Sequence, residues 1–219
     1  MLNIASFMLE KGISQETIIL LLMIPILATL IAFIRQVIGI KAFGVYGPLI
    51  TAFAFWGTGL KYGTIFFIII LITATLVRFL VKKLRLLYLP RIAIVLTIVS
   101  ITMIISFILI SILGQNGFLK ISIFPILILI MLVEKFVGAQ MTKSLRTAIM
   151  LSIETLALGI LGYSILSWQS MQEILLKYPW LILITIFINI LLGKWTGLRL
   201  TELRRFNAII KHAKNISKK

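Results

Sequence analysis

The sequence predicts an all-α, polytopic membrane protein with seven transmembrane helices. Of its 219 residues, 61% are hydrophobic and only 13% are charged, and the mean hydropathy is +1.15. Soluble domains are about 45–50% apolar and about 25% charged, and a soluble fold of this length would have to expose large apolar patches. The composition therefore excludes a soluble enzyme, a coiled coil and a disordered chain.

The first four predicted spans are apolar segments near the length of about 20 residues that a helix needs to cross a bilayer core. The first, residues 17–34, is uncharged, and the acidic residues before it distinguish it from a cleavable signal. The second, residues 43–60, is short and interrupted by glycines and a proline. The third, residues 62–81, has Arg78 near its end, and the fourth, residues 92–113, is uncharged throughout.

The last three spans contain charged residues or end at them. The fifth, residues 121–133, is short and runs into a Glu-Lys pair. The sixth, residues 147–168, contains Glu154, and the seventh, residues 178–193, continues into a basic tail. The short connections between the spans leave no room for another domain.

The basic residues predict the orientation. Lys and Arg number 22 against 6 Asp and Glu, for a net charge of +16, and 18 of the 22 fall on one side of the seven spans. Because cytoplasmic loops are enriched in Lys and Arg, the N-terminus is predicted outside and the C-terminus inside a bacterial inner membrane. The predicted segments are an extracytoplasmic N-terminus at 1–16, a seven-helix domain at 17–197, and a basic cytoplasmic helix and tail at 198–219.

The prolines suggest a 3+3 inverted repeat after the first helix. The short second and fifth spans carry Pro48 and Pro125 near their starts, and each is followed by a full-length span and then by a proline, Pro90 or Pro179. Because three is an odd number, the two units would face opposite ways, and interrupted segments at matching positions indicate a binding site at their interface. The alternative is a chance alignment, since proline is common in membrane helices.

Glycines and a proline interrupt the segment at 39–59. Non-helical backbone at membrane depth is tolerated only where it is buried in protein or lines a cavity. The functional interpretation is a broken or re-entrant segment along a substrate path formed by Gly44, Gly47, Pro48 and Pro125. The alternative is a kinked helix whose glycines permit close packing.

Four polar residues lie within or beside the spans, where each costs free energy unless it meets protein or water. Glu154 lies about two turns inside the sixth span, Glu134 at the cytoplasmic end of the fifth, and Arg78 in the same leaflet. An ion pair of Arg78 with either glutamate is predicted to be structural, and a proton or cation relay is the alternative. Asn189, in the seventh span, is predicted to form an interhelix hydrogen bond.

The loop between the third and fourth spans and the tail both contain several basic residues. They are predicted to bind anionic lipid head groups, since each Lys or Arg near such a surface contributes about 1 kcal/mol. A docking surface for a cytoplasmic partner is a second interpretation, and the two are compatible. The basic residues concerned are Lys82, Lys83, Arg85, Arg91, Arg199, Arg204 and Arg205, and Glu202 lies among them in the tail.

The sequence holds no constellation typical of catalysis or metal binding. It has no Cys, one His, and no Walker loop, GxSxG or HExxH motif. Its six carboxylates lie mostly at helix ends or in loops. These positions do not indicate a pair of side chains that could act as general acid and general base. The basic residues are spread over every predicted cytoplasmic loop and are not gathered on one soluble face, which argues against nucleic-acid binding. The sequence therefore predicts no enzyme activity, no cofactor and no metal.

Four stretches of sequence resemble a known bacterial family. They are residues 39–59 with Ala-Phe-Gly and Gly-Thr-Gly, 77–95 with Leu-Leu-Tyr-Leu-Pro-Arg, 122–134 with Phe-Pro, and a closing Leu-Leu-Gly-Lys-Trp-Thr-Gly-Leu-Arg-Leu-Thr-Glu-Leu-Arg-Arg-Phe. Spanning residues 35–206, they resemble the seven-transmembrane domain usually fused to an inactive transglutaminase-like domain. The layout is also loosely similar to the small membrane subunit of poly-γ-glutamate synthesis.

The resemblance implies partners and a role. That domain is typically associated with a glutamate-ligase-like ATP-grasp enzyme and an aspartic-protease-like partner, which implies making, modifying or exporting an amino-acid polymer or peptide tag. Because this chain has no room for a transglutaminase-like domain, extracytoplasmic recognition is expected to belong to a separate protein. The predicted function is a non-enzymatic membrane subunit that anchors such a ligase or exports its product. A stand-alone small transporter or channel and a seven-helix sensory module are the alternatives.

Overall fold

A computed structural model describes residues 7–8, 10–82, 87–112 and 123–194, and every regular element in these ranges is helical. A π turn, Ile34–Ile38, extends α1, and a 3₁₀ turn, Pro179–Leu181, precedes α8. From residue 15 onward the described α-helices are α1 Gln15–Phe33, α2 Tyr46–Thr58, α3 Leu60–Lys82, α4 Tyr88–Ile112, α5 Ile123–Thr142, α6 Leu145–Leu166, α7 Gln169–Lys177 and α8 Ile182–Gly193. The predicted all-α class is confirmed.

Five described helices are long and apolar enough to cross a membrane. They are Gln15–Ile38, Leu60–Val81, Tyr88–Ile112, Phe124–Thr142 and Leu145–Leu166. The number rises to six if Gln169–Lys177 and Pro179–Gly193, bent by 101° at their junction, form one span. The remaining predicted span is α2, whose 13 residues extend only about 20 Å. Each of the seven predicted apolar segments contains a helix in its described residues, but one of these helices is too short to cross a bilayer core of about 30 Å.

The fifth span is longer than the sequence indicated. The prediction of a short span ending at residue 133 is wrong, because α5 is 20 residues long and continues past residue 133 as far as Thr142. Glu134 and Lys135 lie on an exposed face of α5, whereas Phe136 and Val137 lie buried on the opposite face. Charged residues on the exposed face of a helix do not end it when its other face is buried against neighbouring helices. The two halves of the predicted repeat consequently do not share a short first helix.

The described residues form two compact units, one within Met1–Lys41 and Trp168–Lys219, the other within Ala42–Ser167. In the first unit, α1 packs with α8 and with α7, a short amphipathic helix that buries Leu175. Inside α1, the hydroxyl of Thr29 donates to the carbonyl oxygen of Pro25 at 2.7 Å. In the second unit, α2 to α6 share one apolar core.

The half-length helix α2 lies at the centre of the second unit. At its start, the rings of Phe43 and Phe136 meet edge to face at 6.5 Å between centroids, and near its end Gly57 lies against Pro125. It therefore runs antiparallel to α5. Thr51 lies against Gly159, so α2 also runs along α6, and a Cβ added at that glycine would lie 2.6 Å from the threonine Cγ2.

Candidate functional site

The turn that leads into α2 contains an unusual run of backbone conformations. Gly39 and Gly44 have φ values of 96° and 73°, and Ala42 has φ 43°, the only positive value at a non-glycine residue in the described ranges. Such a conformation costs an L-residue about 1–2 kcal/mol and persists only where the surroundings impose it. Ala42 and Phe43 are buried, 6% and 8% exposed. This buried, non-helical backbone therefore needs hydrogen-bond partners from elsewhere in the protein.

Helix α6 supplies those partners from two adjacent side chains. The backbone N–H of Ala42 donates to Glu154 Oε2 at 2.7 Å, and that of Phe43 donates to Thr155 Oγ1 at 3.0 Å. The Thr155 hydroxyl itself donates to the carbonyl oxygen of Leu151 at 2.7 Å. A carboxylate placed before a helix N-terminus also interacts favourably with the helix dipole. Glu154, half-buried near the middle of α6, thus holds the entry to α2.

The residues predicted to form a substrate path occupy different environments around α2. Gly44 is half-buried in the turn before the helix, whereas Gly47 and Pro48 are buried in its first turn. A Cβ at Gly47 would lie 2.8 Å from Phe43 Cβ. Pro125 packs on Gly57 at the other end. The described segment combines a non-helical turn with closely packed glycines, so it has features of both interpretations.

A second polar cluster joins α3 to α5. Arg78 donates from Nη1 to Gln140 Oε1 at 3.2 Å and from Nη2 to the Gln140 carbonyl oxygen at 2.6 Å. The Gln140 amide donates in turn to Thr75 Oγ1 at 3.1 Å, and the Thr75 hydroxyl donates to the carbonyl oxygen of Leu71. Gln140 is only 1% exposed. This network lies inside helices that are apolar enough to span a membrane.

The predicted ion pair is wrong for the described part of the chain. Arg78 binds Gln140, and Glu134 lies exposed on α5. An amide and a carbonyl satisfy a guanidinium without a second buried charge, whose desolvation is costly. Sequence reasoning missed Gln140 because it ended the fifth span at residue 133. The usable signal was the apolar periodicity of Leu132, Val133 and Phe136, which continues past the charges.

Asn189 links α8 to α1 within the first unit. Its Nδ2 donates to Thr29 Oγ1 at 2.7 Å and to the carbonyl oxygen of Thr185 at 2.8 Å. This is an interhelix hydrogen bond of the predicted kind. A small pocket of about 240 Å³ lies beside it, bounded by Gln36 and Asn189.

The predicted basic surface is described only in part. Arg91, half-buried at the start of α4, places Nη1 4.0 Å from the Met141 sulfur at the end of α5. Lys82 is described as the last residue of α3. The other residues of that surface lie outside the described residues, namely Lys83, Arg85, Arg199, Glu202, Arg204 and Arg205.

An apolar groove of about 470 Å³ separates α3 from α6 in the second unit. Phe136 of α5 lies at its base, and exposed residues such as Ile72 and Ile153 form its walls. Among the described residues, no group of three or more His, Cys, Asp or Glu side chains is placed to hold a metal ion.

Comparison with known proteins gives one match. A family model described as seven transmembrane helices usually fused to an inactive transglutaminase matches residues 2–210. No curated protein matches the chain, and no solved structure matches it. The match covers all the described helices.

Proposed function

We propose a non-catalytic role at the membrane for this chain, which belongs to the family with seven transmembrane helices usually fused to an inactive transglutaminase. The chain is a multi-pass membrane protein. In our proposal it serves a cytoplasmic peptide-forming enzyme of the glutamate-ligase-like ATP-grasp class, by holding that enzyme at the membrane or by passing its product across. An aspartic-protease-like protein is the second proposed partner.

The observation that carries this proposal is the family itself. A membrane domain that is usually joined to an inactive enzyme domain fits a role other than catalysis. The polar side chains within the described helices agree with this, since Gln140 and Asn189 bond to hydroxyl groups of other helices and Glu154 bonds to the backbone of the turn before α2. These side chains hold the helices together, which is a structural task.

The proposed location is a bacterial inner membrane with the C-terminus in the cytoplasm. The distribution of Lys and Arg supports this orientation, and the same residues favour anionic lipid head groups. A Cys introduced at Asn116 should react with a membrane-impermeant thiol reagent added outside intact cells. Labelling only after the cells are opened would reverse the proposed orientation.

Docking is proposed on the basic side of the protein, around Arg91 and along the tail. The test is affinity purification of the full chain from its native host and identification of the proteins that co-purify. Replacing Arg199, Arg204 and Arg205 together by Gln should release the ligase. Replacing Lys61 and Lys177 by Gln is the matched control, because both lie on the other proposed side. A preparation that retains no ligase, or loses it equally in both variants, contradicts the proposal.

A stand-alone transporter is the second candidate, and the geometry of α2 favours it. Half-length helices with ends at membrane depth are typical of transporter binding sites. In proteoliposomes loaded with a pH-sensitive dye, Glu154→Gln should then lower the proton flux that accompanies glutamate or oligoglutamate uptake. Glu134→Gln removes an exposed carboxylate and is the control. Equal flux in the wild type and both variants contradicts a relay through Glu154.

A further inference from the structure

The groove between α3 and α6 is apolar along its whole depth. Its walls include Ile68, Ile72 and Leu76 on α3 and Ile149 and Ile153 on α6, and all five are exposed, by 43% to 61%. Its volume of about 470 Å³ is within the range of about 300–1,000 Å³ typical of ligand pockets. In a bilayer, a groove between two spans opens towards the acyl chains of lipids. Its position therefore favours an apolar, elongated occupant.

The two hydroxyl groups in the groove are already engaged. Thr75 donates to the carbonyl oxygen of Leu71 at 2.8 Å, and Ser152 donates to the carbonyl oxygen of Ala148 at 2.9 Å. Neither hydroxyl has its proton available for a ligand. A polar substrate entering here would lose its hydration without gaining partners, which costs free energy. The groove is therefore suited to a hydrocarbon chain.

One end of the groove is cationic. The end of α3 lies beside the end of α5, because Arg78 binds Gln140 there. Since α6 begins just after α5 ends, α3 and α6 run antiparallel. Arg146 precedes Ile149 by three residues on the same face of α6, about 4.5 Å away along the axis. It is exposed, and no hydrogen bond or ion pair engages it within the described ranges. Arg146 is thus about one helical turn from Ile149, the last apolar residue that α6 contributes to this end of the groove.

The opposite end lacks a comparable charge. The described residues of α6 beyond Leu156 include no Lys or Arg. On α3, Lys61 precedes Ile68 by seven residues, about 10 Å along the axis. An amphipathic anion with one long apolar chain therefore fits the groove in a single direction, with its charge at Arg146.

We propose that the groove between α3 and α6 binds one acyl chain of an anionic phospholipid whose phosphate is held by Arg146. Arg and phosphate form short, charge-assisted hydrogen bonds, often bidentate. Basic pockets between transmembrane helices are suited to anionic head groups. The proposal does not rest on the enzyme partner or on any transport, because it uses only the apolar walls of this groove and Arg146.

The test is the number of lipids that stay bound to the purified full-length chain. The protein is reconstituted in vesicles of equal parts phosphatidylglycerol and phosphatidylcholine, extracted in mild detergent and measured by native mass spectrometry. The expected result is one phosphatidylglycerol per chain. Arg146→Gln should lower its retention about ten-fold, as expected for loss of a hydrogen bond between charged groups. Lys143→Gln, which removes an exposed charge at the same end but before α6 begins, should leave retention unchanged.

A second pair of variants tests the apolar part of the site. Ile153→Trp should fill the groove and displace the lipid, whereas Met150→Trp adds the same ring at a 60% exposed position outside the groove. If Arg146→Gln and Lys143→Gln lowered the retention of phosphatidylglycerol equally, the lipid would be held by the general positive charge at this end of the protein. That result would overturn the site. Equal retention of phosphatidylcholine would overturn it too. A dimer that dissociates in the Ile153→Trp variant would also overturn the site, because a second copy of the chain would then fill the groove.

Discussion

The backbone N–H of Ala42 donates a 2.7 Å hydrogen bond to Glu154 Oε2, across 112 residues of sequence. A carboxylate that lies within a span of 22 residues thereby stabilises a turn with a left-handed non-glycine residue. The cost of placing the carboxylate in the membrane and the cost of the backbone strain are offset by the same interaction. This relationship makes Glu154 a residue on which the entry to α2 depends.

Glu154→Ala is expected to lower the free energy of unfolding by about 2 kcal/mol, since hydrogen bonds to charged groups contribute about 1.5–3 kcal/mol. Glu154→Gln keeps an acceptor oxygen and should cost less than the alanine variant. Denaturant unfolding in detergent, followed by tryptophan fluorescence, measures both. Glu134→Ala, at an exposed position of α5, should fall within about 0.5 kcal/mol of the wild type. Equal effects at the two glutamates would refute the role of Glu154.

Ala42→Gly is expected to stabilise the protein by about 1 kcal/mol, because glycine adopts φ 43° without the penalty that a Cβ imposes. The thermal unfolding midpoint in detergent should rise. The same change at Ala157, in the helical interior of α6, should lower the midpoint, since glycine costs about 1 kcal/mol relative to alanine there. A lower midpoint for Ala42→Gly would show that the turn is not strained.

Gln140→Leu is expected to be destabilising by about 2–3 kcal/mol, because it removes an acceptor from the guanidinium of Arg78 and leaves it partly unsatisfied. Replacing both residues by Leu should cost less than the sum of the two single changes, since no charge then remains to be satisfied. A double-mutant cycle measured by denaturant unfolding gives this coupling. Additive effects would mean that the two side chains act independently.

Gly159→Ala is expected to loosen the packing of α2 on α6, because the added Cβ would lie 2.6 Å from Thr51 Cγ2. Thr51→Ser removes that methyl group and keeps the hydroxyl, which donates to the carbonyl oxygen of Gly47 at 2.8 Å. The double variant should therefore recover part of the lost thermal stability. Gly193→Ala is the control, since a Cβ there meets no atom within 4 Å. If Thr51→Ser did not recover any of the thermal stability lost in Gly159→Ala, the contact with the Thr51 methyl group would not be the cause of that loss.

Much of the fold follows from hydropathy alone. The boundaries of α4 and α6 lie within a few residues of the predicted spans, because long apolar segments in lipid must satisfy their backbone groups internally as helices. The length of α5 did not follow. Glu134 and Lys135 interrupt the hydropathy of this helix without interrupting its packing, since they lie on its exposed face.

The sequence by itself determined that most of this protein lies in lipid and that its fold is all-α. It also determined the order of the apolar segments and the presence of polar residues that need partners. Only the tertiary structure decided which partners those are. Charge pairing suggested a glutamate for Arg78, but the neighbouring helix offers an amide and a carbonyl at Gln140. One partner of Glu154 is a backbone N–H that any residue type except proline could supply. Such a donor has no signature in sequence, because only the path of the backbone determines which N–H groups are left without an internal acceptor.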